Sequence, residues 1–293
     1  RLKKNPNVVD ASPNHIYRIS KEPNDANWSE QWGPKKIRAA GAWDKGTGSK
    51  DVVVVVMDTG IIYDHEDLAD NMYTISKDLV NSMKALSTDI ISDDFIGSHG
   101  VWYHCENDTS VTMPPVPVGP VKSTDIATSA DIMGTYERQR IVGDISGHGT
   151  HVAGIIGAVG DNGKGVAGMN WKVSLMAVNV FSKTNDGKED TTTAYDSDIM
   201  RGIDFVLTAK KAGANIRVVN MSFGGWSHRP GATDAKIEAL SDLNIIIAIA
   251  AGNEGEDIDN PSEHSGQKPY PACSRYDNTI TVGATTNLVV SEI

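Results

Sequence analysis

The chain has 293 residues, 39% of them hydrophobic and 22% charged, with a formal net charge of −11, the make-up of a globular protein with room for one α/β domain or one domain plus a small appendage. So acidic a polypeptide has no broad cationic surface to neutralise phosphates, which argues against general nucleic-acid binding, and no apolar run approaches the length needed to cross a bilayer. Cys105 and Cys273 are far apart and show no metal-ligand spacing, so a disulfide and two separate thiols both stay open.

Residues 1–24 read as a surface arm, with Val8 and Val9 ringed by the turn formers Asn, Pro and Ser. The chain opens at Arg1 without an initiator Met, signal peptide or targeting tract, so its true N-terminus is expected to lie upstream and secretion is not read off directly. From Asn27 a Trp-rich stretch leads into residues 51–57, which contain five consecutive valines. A run apolar on both faces suits a parallel strand in the middle of a sheet. It ends on Asp58-Thr-Gly, placing an acid at the carboxyl end of a buried strand, where open α/β sheets build their sites. Between about 72 and 143 the pattern dissolves into mixed charges, Ser/Thr clusters and a Pro-rich block at 113–120, which predicts a long surface insertion.

Regular structure resumes at residues 147–158, a predicted helix whose Gly149, Ala153, Gly154 and Gly157 would let it approach a sheet closely. Residues 175–181 predict a strand, 194–211 a helix with Ile199, Ile203, Val206 and Leu207 on one face, and 217–222 a strand. A helix at 234–243, a strand at 245–250 running into Ala251-Gly-Asn-Glu-Gly255, and a strand at 279–282 complete the series. Strands alternating with helices predict a three-layer, doubly wound, mostly parallel α/β sheet.

Asp58, His148 and Asn253 stand at strand ends or helix starts. Taken singly, each has a bland explanation: a turn aspartate, a satisfied structural histidine, a left-handed turn asparagine. Together they are the supporting parts of an acyl-transfer site. A hydroxyl nucleophile needs a base to take its proton, and histidine titrates in the right range. An ionised Asp fixes the imidazole's tautomer, and an amide aimed at the developing oxyanion contributes about 3 kcal/mol. The nucleophile itself is not evident.

Val56-Met-Asp-Thr-Gly60 followed by His65-Glu-Asp-Leu68 resembles the catalytic-aspartate segment of subtilases, the subtilisin-like serine proteases. Gly147-His-Gly-Thr-His-Val-Ala-Gly154 is similar to their catalytic-histidine motif, and Ala250-Ala-Gly-Asn-Glu-Gly255 to their oxyanion segment. Val219-Asn-Met-Ser-Phe-Gly-Gly225 resembles the strand that pairs with substrate, and Tyr270-Pro-Ala with Thr279-Ile-Thr-Val-Gly-Ala284 the strand beyond it.

The resemblance runs from about Trp28 to Ala284, broken by the insertion, and implies a secreted or extracytoplasmic serine endopeptidase, monomeric, in which residues 25–293 are an incomplete catalytic domain. Asp58 would orient His148, the base; His151 would be structural; Asn253 would serve the oxyanion hole. Peptide would pair as an extended strand with 222–224 and, on the other edge, with residues around 187–190. Ser222, Phe223, Gly224, Ala250, Ala251 and Gly252 would wall the S1 pocket and favour apolar side chains, with Glu254 either at its mouth, tolerating Lys or Arg, or solvated. Catalysis would need no cofactor, but a structural calcium is implied at Asp67 with carbonyls of the 160–165 loop. The arm at 1–24 resembles the tail of an inhibitory propeptide, making the chain's own propeptide a partner beside the polypeptide substrate.

The departure is at the carboxyl end. The family's Gly-Thr-Ser-Met-Ala type serine motif is not in the sequence, and Ser291 has neither its context nor a following helix. The chain by itself is therefore expected to form no acyl-enzyme. A non-catalytic module that binds extended peptides is the alternative reading. A nucleotide-binding doubly wound fold would need a GxGxxG or GxxxxGK[ST] sequence, which is missing. Asp93 and Asp94 read as solvated, and Asn107-Asp-Thr109 as a glycosylation sequon.

Overall fold

The structure, a computed structural model, describes residues 7, 21–87, 96–97, 100–102, 144, 146–183, 192–228 and 231–285. Most of the arm at 1–24, residues 93–94, 103–143 and 187–190, Cys105, Asn107 and Ser291 lie outside them.

Two one-turn helices, α1 (Trp32–Lys36) and α2 (Ala39–Trp43), lead into β1 (Gly48–Asp58). Then follow α3 (Lys77–Leu86), β2 (Ile96–Gly97), β3 (Gly100–Trp102), α4 (His148–Gly157), β4 (Lys172–Asn179), β5 (Phe181–Lys183) and β6 (Thr192–Ala194). The chain continues through α5 (Asp196–Lys211), β7 (Ile216–Met221), β8 (Gly225–Ser227), α6 (Ala232–Ser241), β9 (Ile246–Ala250), β10 (Lys268–Tyr270) and β11 (Thr279–Val282).

Seven strands form one sheet in the order β11-β9-β7-β1-β4-β3-β2, parallel throughout except for the antiparallel β2–β3 pair at one edge. The valine strand takes the central position because both of its faces are apolar. Val53, Val55 and Met57 pack with α3, α5 and α6, while Val54 and Val56 pack with Ala153 of α4. The chain passes from β4 on one side of β1 to β7 on the other, which makes the carboxyl end of β1 a topological switch point.

Helix α4 lies against the sheet through Gly149, Ala153 and Gly157, all buried and four residues apart. A Cβ on Gly157 would sit 2.4 Å from Val173 Cγ1, whereas Gly154, expected on the same face, meets nothing. Four-residue spacing selects one stripe of a helix, and Gly154 falls beside it.

The predicted insertion does not begin at 72. Met72 and Ile75 are buried, Ser76 Oγ caps α3 by accepting from Leu79 N at 3.1 Å, and Leu79, Val80 and Met83 join the main core. β3 then adds a parallel strand beside β4. Three buried apolar positions in a single ten-residue helix give too short a periodicity to stand out from polar surroundings. The Trp-rich stretch forms a satellite cluster, with Trp43 4.9 Å from Trp171 and 5.5 Å from Trp28, and its indole N–H on Met169 O at 3.0 Å. Among the described residues no helix is long and apolar enough to cross a membrane.

Candidate active site

Three segments converge at the carboxyl rim of the sheet: the end of β1, the first turn of α4 and the loop after β9. Asp58 is fully buried where β1 stops. Its Oδ1 accepts from Thr59 N at 2.7 Å and lies 2.7 Å from His148 Nδ1, a contact between residues ninety positions apart. An ionised carboxylate only accepts, so the imidazole donates from Nδ1 and its Nε2 is left as the basic nitrogen. The approach depends on Gly149, because a Cβ there would stand 2.1 Å from Gly60 O and 3.2 Å from Asp58. Burial pushes the Asp58 carboxyl above its ordinary range; the hydrogen bond from His148 is the leading opposing influence. Oδ2 of Asp58 is buried without a hydrogen-bond partner, while the His148 side chain is 54% exposed and faces the cleft.

Asn253 follows Gly252, whose φ of 107° turns the chain off β9. Its backbone N–H donates to Glu254 Oε2 at 2.8 Å, so the exposed Glu254 folds back against the loop. His148, Asn253, the 222–224 edge and the 250–254 segment all line one cavity of about 420 Å³. All seven residues read from the sequence as substrate contacts are therefore on its walls. Trp226 closes its far side, with its ring stacked on His264 at a centroid distance of 3.5 Å. A larger cavity of about 590 Å³ shares Phe181, Phe223 and Trp226 with the first, but contains none of Asp58, His148 and Asn253.

Sequence reasoning missed Asp144, Thr59 and Trp226. Asp144 supplies what Gly147, the residue before α4, cannot: a side-chain acceptor for the first turn. An Asp followed by Ser and Gly just before a helix is a turn-and-cap signal that could have found it.

Asp67 is buried, but donors and not carbonyls reach it. Asn162 Nδ2 bonds Oδ1 and Val166 N bonds Oδ2, both at 2.8 Å. The expected set also lacked Asp25, whose Oδ2 accepts from Asp161 N at 2.6 Å and whose Oδ1 is buried without a partner. Burial raises the Asp25 carboxyl pKa, opposed by the Asp161 N–H and reinforced by the nearby charge of Asp67. Among the described residues no group of three or more His, Cys, Asp or Glu is disposed to hold a metal. Cys273 is a free thiol donating to Ile258 O at 3.2 Å, and burial raises its pKa.

Residues 49–291 match the model of the subtilase family. The chain belongs to that family. It is 30% identical over 295 residues to an extracellular basic protease of Dichelobacter nodosus, covering 96% of this chain and 41% of that protein. An extracellular protease of Xanthomonas campestris is 29% identical over 98% of this chain and 43% of its own length. Thermitase of Thermoactinomyces vulgaris is 29% identical over 90% and 65%. This subtilase chain thus spans less than half the length of the first two relatives. In fold it resembles a protease from Pseudoalteromonas arctica, with a TM-score of 0.54 at 24% identity over 89% of this chain and 65% of that one. A lanthipeptide protease gives a TM-score of 0.53 at 16% identity over 91% and 60%. In this subtilase, then, the mostly parallel sheet is the family's, and β1 and α4 carry the two residues in contact at its rim.

Proposed function

We propose that this subtilase is a serine endopeptidase acting outside the cytoplasm, in which His148 is the general base, Asp58 orients it, and the Asn253 side-chain amide serves the oxyanion. The observation that carries the reading is the 2.7 Å contact between the buried Asp58 carboxylate and His148 Nδ1 at the switch point of a parallel sheet. With Nδ1 occupied, Nε2 takes the proton of an attacking hydroxyl and later returns it to the leaving amine. No serine in the family's motif context is assigned among these 293 residues, so this reading gives the chain by itself no acyl-enzyme. Support for the extracytoplasmic setting comes from relatives named as extracellular proteases.

The substrate is an extended polypeptide. Its backbone pairs along 222–224, and its side chain enters the cavity bounded by 250–254. Phe223, Trp226, Pro269 and Ala272 are among the cavity's lining residues, which suits apolar side chains. Residues 1–24 are, by their resemblance, the tail of an inhibitory propeptide.

A structural calcium at Asp67 is proposed with Asp25 as its second carboxylate, the cation displacing the N–H donors that occupy both Asp67 oxygens. Two buried carboxylates side by side, one with an orphaned oxygen, are the donor chemistry a hard divalent cation takes. Asp25 and Asp67 would hold it, and it would neutralise their repulsion and pin residues 24–27 to the 160–166 loop. Chelation with EGTA should lower Tm in the parent protein and leave an Asp25→Asn variant unmoved; equal shifts, or none, would count against calcium.

The function is tested by treating the product of the whole reading frame with a serine-directed fluorophosphonate. Covalent labelling of the parent, lost in His148→Ala, is the expected result. An intact, folded parent that takes no label sinks the peptidase reading and leaves a peptide-binding module.

A further inference from the structure

The first turn of α4 is fastened to the end of β1 by a set of side chains that catalysis itself does not use. The Asp144 carboxylate accepts from Thr59 Oγ1 at 2.7 Å, Ser146 N at 3.0 Å, Gly147 N at 2.8 Å and Thr150 N at 2.8 Å. The buried Thr59 hydroxyl, having donated its proton to Asp144, accepts from Gly149 N at 2.9 Å and from Ser146 Oγ at 3.3 Å. Ser146 Oγ also takes the His148 N–H at 3.2 Å, and Thr150 Oγ1 takes the Ile62 N–H at 2.9 Å.

These bonds answer a local difficulty. A helix leaves its first N–H groups without partners and frays there unless side chains satisfy them. The residue before α4 is Gly147, which has no side chain to offer and sits at a φ of 85°. His148 is the first residue of the helix, with no preceding turn to brace its half-exposed ring. Its position over Asp58 is therefore set by where the backbone at 148 stands, and that is set by Asp144, Ser146 and Thr59. Thr59 is covalently next to Asp58 and donates its own N–H to the Asp58 carboxylate. One carboxylate thus ties both partners of the Asp58–His148 pair to a common frame. Its negative charge also sits favourably at a helix N-terminus.

We propose that Asp144, acting through the Thr59 hydroxyl, is a positioning residue that holds His148 in register with Asp58 and thereby fixes which ring nitrogen carries the proton. The proposal deepens the peptidase reading, but its test needs no nucleophile. Histidine is labelled with 15N, and long-range 1H–15N correlation spectra report the tautomer of the neutral His148 ring in the parent and in Asp144→Ala, Thr59→Val and Thr59→Ser. Circular dichroism confirms that each variant is folded.

In the parent the neutral ring carries its proton on Nδ1. In Asp144→Ala and Thr59→Val that form should fall from the major to the minor species, because the ring is no longer held against Asp58. Thr59→Ser, which keeps the hydroxyl, should retain it. A purely structural role would lower Tm in all of them without changing the tautomer of the folded population. Folded Asp144→Ala or Thr59→Val with the parent's tautomer overturns the proposal, as does loss of the Nδ1–H form in Thr59→Ser. Should Asp144→Ala fail to fold, Thr59→Val decides alone. A parent without the Nδ1–H form is a different failure, since it removes the Asp58–His148 pair and the peptidase reading with it.

Discussion

Asp58, proposed to orient His148, shows how a buried polar residue works against the fold that carries it. Its carboxyl pKa is raised by burial, so the folded state holds the proton more tightly than the unfolded chain does. The associated stability is fully present below the ordinary carboxylate pKa of about 4 and is lost as pH rises through the folded value. At neutral pH the ionised group, with Oδ2 unpartnered, is a net burden. Asp58→Asn should therefore raise Tm at pH 7 and lose that advantage in acid, where the parent's Asp58 is itself protonated. The same change should lower catalysis by about 10⁴-fold, because an amide facing Nδ1 favours the wrong tautomer. Thermal melts across pH, set beside labelling rates, check both halves; a variant less stable than the parent at pH 7 refutes the first. Residues 58, 148 and 253 were legible because strand-end polar residues are few and chemically complementary. Thr59 and Asp144 were not, because a Thr after an Asp and an Asp in a polar stretch look like ordinary turn residues until their partners, 85 to 90 residues away, are known.

Elements were read best where hydrophobicity was strongest. The valine strand, the strand at 279–282 and the α5 pattern of Ile199, Ile203 and Val206 all occupy their expected places; the 279–282 strand agrees at both ends, and the ends of the other two are displaced by up to three residues. Helix termini and strand ends depend on caps and ladder partners, which local sequence encodes weakly. α3 was lost to the insertion because its partner surface is remote: Met83 is buried against a core built mainly from residues after 176. Burial makes the error measurable. Met83→Ala should cost about 2–4 kcal/mol, as a large-to-small core change does. On a surface insertion the same substitution would stay within about 0.5 kcal/mol. Denaturant titration at constant m-value separates the two, and a cost at the lower figure would return residues 72–86 to the surface.

At the scale of the whole molecule the two faces of the sheet are clothed unequally. α3, α5 and α6 cover one face, and Val53, Val55 and Met57 of β1, Ile247 and Ile249 are buried beneath them. On the other face α4 covers β1 and β4, but among the described residues nothing lies over β9 and β11. Parallel register puts Ile280 beside Ala248 and Val282 beside Ala250, so side chains on this face line up across the two strands. Ile246, Ile280 and Val282 are 46%, 54% and 55% exposed there. Soluble monomers seldom leave so contiguous an apolar strip open to water. The 293-residue chain should accordingly bind a hydrophobic dye and self-associate as its concentration rises. The double variant Ile280→Lys, Val282→Lys should suppress both without unfolding the sheet, since each side chain replaced already points into solvent. Light scattering and dye fluorescence on the two proteins decide it. A parent chain that stays monomeric and dark would mean that this face is covered.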